Sequence, residues 1–223
     1  MEYLCSEALG LDRERASFLD VGAGNGSLLF RLREEEEEEE ERWQEESEDG
    51  KEGEDKKRES RGTGFAGPMV GVDYSGASVE LARRVAGKRG MGPGGEREEV
   101  RFEEWDVMRE EPGRWIPRDG VTGDRGFDVV LDKGTFDAVS LCGERDQCGR
   151  RLCEGYRDRV GGLVRRGGVL LVTSCNWTEG ELRGWFEGGE AGLVFLGRVG
   201  YPRFTFGGRT GQSISSVCFR RVG

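Results

Sequence analysis

An α/β fold built on one open, largely parallel sheet is what this sequence predicts, and three observations predict it. Apolar segments of strand length alternate with segments of helical period along most of the chain. A glycine-rich turn, Gly22 to Gly26, joins the first apolar strand to the first helix. Acids stand at four consecutive strand ends: Asp20, Asp73, Asp106 and Asp132. In open α/β sheets the carboxyl edge of the strands is where ligands bind.

The first unit is FLDVGAGNGSLL, Phe18 to Leu29. Glycine lets a backbone pass close to a bound ligand, and the helix expected to start near Asn25 and Gly26 turns free N–H groups toward it. A dinucleotide site wants G-x-G-x-x-G. Here Gly22, Gly24 and Gly26 give G-x-G-x-G, and Ser27 stands where the last glycine would be. Asp20, two residues before the first glycine, would repel a pyrophosphate but could accept from an amino-acid ammonium. S-adenosylmethionine carries an ammonium and a sulfonium and no phosphate, so the motif favours it over NAD. A nucleotide site or a purely structural glycine turn are the alternatives.

After an insertion the alternation resumes. Pro68–Val72 reads as strand two, running into Asp73 and Tyr74, and a helix follows from about Ala77 to Lys88. Val100–Trp105 reads as strand three, ending at Asp106, and Gly126–Leu131 as a buried strand four, ending at Asp132 and Lys133. A helix is expected from about Asp146 to Val164, weakened by Gly149 and Gly155. Val169–Thr173 is strand five, and Thr178 caps a short helix with Glu181 three positions on. Leu193–Val199 and Ser213–Phe219 are the last two strands. No helix-length segment separates them, so they are expected to pair as an antiparallel hairpin with a long loop.

The insertion explains the composition. Glu34–Gly64 holds 16 acids and 6 bases, which equals the net charge of −10 of the whole 223-residue chain. The remainder balances 28 bases against 28 acids, so no broad basic face points to nucleic acid. A run of like charge with no apolar face reads as a disordered, solvated loop, with a docking site for a basic partner as the alternative. It sits on the connection away from the ligand edge, where length is tolerated. One domain spanning residues 1–223, without internal repeats, is expected.

The chain has no histidine, and its six cysteines form no C-x-x-C pair. No metal site and no histidine base are therefore expected. No apolar run resembles a signal peptide or a membrane span, so a reduced, cytoplasmic setting with free thiols is the expectation.

Each strand-end acid has a structural reading beside the functional one, since Asp favours turns. Four in succession favour a site. Asp73 can take both ribose hydroxyls; it lies 47 residues after Gly26, and 16 once the 31-residue insertion is removed. Asp106 can accept from an adenine amino group. Asp132 opens DKGTFDAVSL, which reads either as a turn followed by a helix capped at Thr135, or as the entrance for the acceptor. An amine acceptor must be neutral to attack a methyl carbon, and free lysine titrates near 10.4. An acid and aromatic groups orient such an amine while burial removes its proton. Positioning then supplies most of the rate.

DKGTFDAVSL at Asp132–Leu141, TSCNWTEGEL at Thr173–Leu182 and FTFGGRTGQSISSVCF at Phe204–Phe219 together resemble the lysine methyltransferases of translation elongation factor 1-alpha. The likeness covers nearly all of the chain outside the acidic insertion. It implies a seven-stranded class I methyltransferase sheet, Rossmann-like, with a C-terminal antiparallel hairpin. It implies that Asp20, Gly22, Gly24, Asn25, Gly26, Asp73, Tyr74, Asp106 and Val107 contact S-adenosylmethionine. Asp132, Asn176, Trp177 and Phe204 would line the acceptor side. The implied enzyme is a cytoplasmic monomer acting on a protein, with no nucleic acid or membrane involved. Members carry an N-terminal segment that closes over the cofactor; only 17 residues precede Phe18, so most of that lid is expected to be missing. The alternatives are a methyltransferase for another protein or a small molecule, and a lid-less binding module without catalysis.

Overall fold

The structure, a computed structural model, describes residues 2–5, 9–34, 64–118, 124–202, 204–206, 209–211 and 213–223. Seven strands form one sheet. They are β1 (Phe18–Val21), β2 (Met69–Asp73), β3 (Val100–Glu104), β4 (Phe127–Lys133), β5 (Val164–Ser174), β6 (Leu193–Arg198) and β9 (Ser215–Arg221). Their order is β3-β2-β1-β4-β5-β9-β6. β1, β2, β3, β4 and β5 pair in parallel, while β9 lies antiparallel to both β5 and β6. The order reverses at β1, whose two neighbours are β2 and β4, and in open α/β sheets ligands bind at the carboxyl end of such a point.

Both faces of the sheet are covered. On one side α2 (Ser27–Glu34) and α3 (Gly76–Lys88) bury Leu29, Phe30, Val79 and Ala82 against Phe18, Met69, Phe102 and Val129. On the other, α4 (Thr135–Leu141), α5 (Tyr156–Gly161) and α6 (Glu179–Phe186) bury Phe136, Tyr156, Val160, Leu182 and Phe186 against Leu19, Val130, Leu170 and Phe219. β1 is buried along its whole length, as a central strand of a doubly covered sheet must be. The short α1 (Glu2–Cys5) was not anticipated; its Leu4 is buried in the first core.

The seven-strand count, the parallel core and the antiparallel C-terminal pair agree with the sequence reading. The differences have local causes. β5 begins at Val164, earlier than Val169, because a bulge between its pairings to Phe127 and Val129 absorbs Arg165–Gly168. The helix expected over Asp146–Val164 is only a 3-10 turn (Leu152–Gly155) and α5. Its first part is a loop, because the Asp146 carboxylate accepts from the N–H groups of Cys148 (2.8 Å) and Arg150 (2.9 Å), and Gly149 takes φ +78°. Side-chain bonds of that kind compete with the helix ladder. The loop of the C-terminal hairpin contains a second, two-stranded ladder, β7 (Phe204–Phe206) with β8 (Arg209–Gly211). The acidic stretch, apart from Glu34 and Gly64 at its ends, lies outside the described residues.

Candidate active site

The glycine turn lies at the carboxyl edge of β1, beside the point where strand order reverses. Gly22, Gly24 and Gly26 adopt φ +76°, +56° and +79°, a region that side chains rarely enter. Each glycine answers a different need. A Cβ on Gly22 would strike Thr135 Oγ1 at 2.0 Å, and one on Gly26 would strike the Phe102 ring at 2.5 Å. A Cβ on Gly24 would meet nothing within 4 Å, so the space above it is open. The N–H groups of Gly22 and Ala23 donate to the Val72 carbonyl at 2.8 and 2.9 Å, which stretches the turn across β2. The Gly24 N–H donates to Asp73 Oδ2 at 3.0 Å. The exposed Asn25 holds the start of α2, its Oδ1 accepting from the Ser27 N–H at 3.1 Å.

Asp20 is only 3% exposed, and among the described residues no donor reaches its carboxylate. Burial first, then the charge of Asp132, push it up to about 7, against the opposing pull of Lys133. A buried carboxylate without a partner is stabilised by an arriving cation. The turn from Gly22 to Ser27 carries no basic side chain that would hold a phosphate. Open space over Gly24, an unpartnered buried acid and a second acid at Asp73 fit a cationic, phosphate-free cofactor such as S-adenosylmethionine.

Of the other expected cofactor residues, Asp73 bonds to this turn directly. Asp73 Oδ1 also accepts from the Ser75 N–H at 2.9 Å, so the carboxylate ties the glycine turn to the cap of α3. Tyr74 beside it is 77% exposed. Asp106 at the end of β3 accepts from the Met108 N–H (2.8 Å) and pairs with Arg109 (3.0 Å). Val107 is buried in the core, and its carbonyl accepts from Arg159.

On the acceptor side, Asp132 differs from the simplest expectation of a carboxylate facing the acceptor. It is 1% exposed and its oxygens are engaged by the N–H groups of Thr135 (2.9 Å) and Phe136 (3.1 Å) and by the Tyr156 hydroxyl (2.6 Å). Burial raises it to about 6 against those three lowering bonds. The same geometry corrects the expected cap. Thr135 is the first helical residue, Gly134 is the cap residue at φ +86°, and the Asp132 side chain satisfies the helix's free N–H groups. Burial and the two carboxylates hold the Tyr156 hydroxyl protonated. Asn176 is exposed. Trp177 is half-buried, donates from Nε1 to Ser140 Oγ at 3.0 Å, and packs against Trp185 and Phe136 with ring centroids 5.7 and 6.0 Å away. Phe204 begins β7, and its side chain lies outside what the structure describes.

Asp137, Ser174 and Tyr156 escaped the sequence reading as site residues, and Thr135 was read only as a cap. Thr135 Oγ1 donates to the Val21 carbonyl at 2.6 Å, fastening DKGT to the mouth of the glycine turn. Asp137 of DKGTFDAVSL and Ser174 of TSCNWTEGEL join those two motifs by a direct hydrogen bond. Tyr156 completes the environment of Asp132. The spacing of Asp137 five residues after Asp132, inside a motif already singled out, was a usable signal; Tyr156 lay in a segment without a motif.

The site's fold and chemistry are those of a methyltransferase. The methyltransferase domain family matches residues 12–191. The protein-lysine N-methyltransferase efm4 of Schizosaccharomyces pombe is 36% identical over 204 residues, covering 91% of this chain and 68% of that protein. EFM4 of Saccharomyces cerevisiae is 32% identical, covering 92% and 70%. EEF1A lysine methyltransferase 2 of Homo sapiens is 27% identical, covering 93% and 66%. The magnesium protoporphyrin IX methyltransferase of Synechocystis, solved with bound S-adenosylmethionine, superposes with a TM-score of 0.56 at 13% identity, over 98% of this chain and 75% of that one. The chain belongs to the methyltransferase-domain family and, within it, to the protein-lysine N-methyltransferases that efm4 represents. Its methyl donor is S-adenosylmethionine.

Proposed function

We propose that this enzyme methylates a lysine of translation elongation factor 1-alpha. The names of the animal relatives support the substrate. The observation that carries the chemistry is the buried, unpartnered Asp20 beside the open space over Gly24. S-adenosylmethionine, when bound, supplies an electrophilic methyl group. Asp20 then holds a cation in place and Asp73 accepts from hydroxyl groups at the end of β2. Gly22, Asn25 and Gly26 shape the turn, and Tyr74, Asp106 and Val107 border it. Asn176, Trp177 and Phe204 line the path of the acceptor. Asp132 acts from behind, fixing the turn that carries α4.

The chain has no histidine to serve as a base. An amine must be neutral to attack the methyl carbon, and an apolar surrounding such as the partly buried Trp177 and Trp185 offer lowers an amine's affinity for its proton. Translation takes place in the cytoplasm, so this reading puts the enzyme there, acting as a monomer on a protein without nucleic acid or membrane. Among the described residues no helix is long and apolar enough to cross a membrane.

The test offers labelled S-adenosylmethionine to the purified enzyme with elongation factor 1-alpha, histones and a mixture of small amines in parallel. Label on elongation factor 1-alpha is expected. Label confined to the other acceptors would remove the substrate and keep the reaction.

A further inference from the structure

We propose that Asp137 and Ser174 act as one positioning unit that sets the register of the acceptor loop Cys175–Asn176–Trp177 against the cofactor turn; the inference rests on the methyltransferase reading above. The loop leaves β5 at the carboxyl edge of the sheet, and among the described residues no strand partner holds it beyond Ser174. Its main chain is instead held by one hydroxyl and one carboxylate. Ser174 Oγ donates to Asp137 Oδ1 and accepts from the N–H groups of Asn176 (3.0 Å) and Trp177 (2.9 Å). A hydroxyl has one donor and two acceptor sites, and all three are used. Asp137 Oδ2 accepts from the Cys175 N–H at 3.0 Å. Three consecutive N–H groups of the loop are thus bound by this pair.

The indole is set by the same helix. Trp177 Nε1 donates to Ser140 Oγ, and Ser140 Oγ donates to the Asp137 carbonyl at 3.1 Å. Asp137 and Ser174 are buried, at 8% and 1% exposure, while Cys175 and Asn176 face solvent. Neither member of the pair is placed to touch a substrate. At its other end α4 is fastened to the cofactor turn, through Thr135 to the Val21 carbonyl and through Asp132 to the helix N–H groups. One rigid helix therefore carries both the contact to the glycine turn and the contact to the loop that borders the acceptor. Loss of the pair frees the loop without touching the cofactor seat. The expected consequence is a defect in acceptor turnover with cofactor affinity retained.

The experiment compares the full chain with Ser174→Ala, Asp137→Ala, the shape-preserving Asp137→Asn, and the Ser174→Ala/Asp137→Ala double variant. Three quantities are read: kcat/KM toward elongation factor 1-alpha, the Kd of S-adenosylmethionine by calorimetry, and the 19F resonance of 5-fluorotryptophan at residue 177, identified by its loss in Trp177→Phe. Each single variant is expected to lose about 10- to 100-fold in kcat/KM, the scale of a small misplacement of reacting groups. The double variant is expected to lose no more than the worse single one, and cofactor Kd to stay within about twofold. The residue 177 resonance should shift in every variant. Multiplying losses in the double variant, a parallel collapse of cofactor affinity in Ser174→Ala and Asp137→Asn, or unchanged kcat/KM would overturn the assignment. If the wild-type chain leaves elongation factor 1-alpha unmodified, the substrate reading fails by itself. The fluorine signal then decides this one: a shift at residue 177 with cofactor Kd retained supports the unit, and an unmoved resonance removes it.

Discussion

Three glycines in one turn are required for three different reasons, and substitution should separate them. Gly26→Ala forces a side chain into left-handed backbone and into the Phe102 and Phe30 rings. We expect it to destabilise the domain by roughly 2–5 kcal/mol, the sum of backbone strain and overpacking. Gly24→Ala meets no protein atom, so only the backbone term of about 1–2 kcal/mol applies. It should nevertheless abolish cofactor binding, because the methyl group enters the open space the cofactor needs. Urea unfolding and calorimetry on both variants check the contrast; equal stability losses would contradict it.

The acids beside that turn impose a pH dependence. Asp20 and Asp132 titrate at about 7 and about 6 in the folded chain, against about 3.9 when unfolded. The folded state therefore binds more protons than the unfolded state over that interval, and stability falls as pH rises. Unfolding of the cofactor-free protein should show stability lost between about pH 4 and pH 7. Asp20→Asn should flatten the upper half of that loss, and an unaltered profile would contradict the assignment.

Among the elements, α6 was the most completely legible in the sequence. Thr178 and Glu181 form the anticipated reciprocal cap, Thr178 Oγ1 accepting from the Glu181 N–H while Glu181 Oε2 accepts from the Thr178 N–H. Thr178→Ala should cost about 1 kcal/mol in thermal or urea unfolding, and no loss would show that the exposed cap is idle. The strands of the parallel core were legible for a related reason. β1, β2 and β4, buried on both faces, read as largely apolar runs, and four of the five parallel strands, all but β5, carry an acid at or just past the same sheet edge. The segment from Asp146 to Val164 was not legible, because periodicity does not reveal that a carboxylate satisfies the N–H groups a helix would use. For the candidate site, the glycine turn and the DKGT and SCNW motifs marked segments that the structure places at the carboxyl edge of the sheet. The direction of a side chain was not legible. Asp132 lies in the right motif but turns inward to Tyr156 and the start of α4, a fact that depends on which face of β4 each residue occupies.

At the scale of the whole molecule, the acidic insertion is carried by a closed junction. The Phe65 N–H donates to the Leu32 carbonyl at 3.0 Å. The buried Arg33 guanidinium donates to the carbonyls of Phe65 and Gly67. Glu34 pairs with Arg89 at 2.6 Å. The two ends are thus held together by the domain itself, between the C-terminal end of α2 and the start of β2. Replacing residues 35–63 with a short Gly/Ser linker should leave the melting temperature and cofactor affinity unchanged, while removing most of the net negative charge. A large loss of stability in that variant would mean the insertion contributes to the core.

The central claim is that the buried Asp20, which no donor reaches among the described residues, is the anchor for a cationic cofactor at the sheet edge where strand order reverses. Calorimetric titration of S-adenosylmethionine into the wild-type chain and Asp20→Asn, each at pH 5.5 and 7.5, tests it most directly. Binding needs the ionised carboxylate, so wild-type affinity should rise by about tenfold or more between the two values as Asp20 gives up its proton. Asp20→Asn should bind far more weakly at both and show no such rise. Wild-type affinity in Asp20→Asn, or an affinity of the native chain that ignores pH across this interval, would contradict the account.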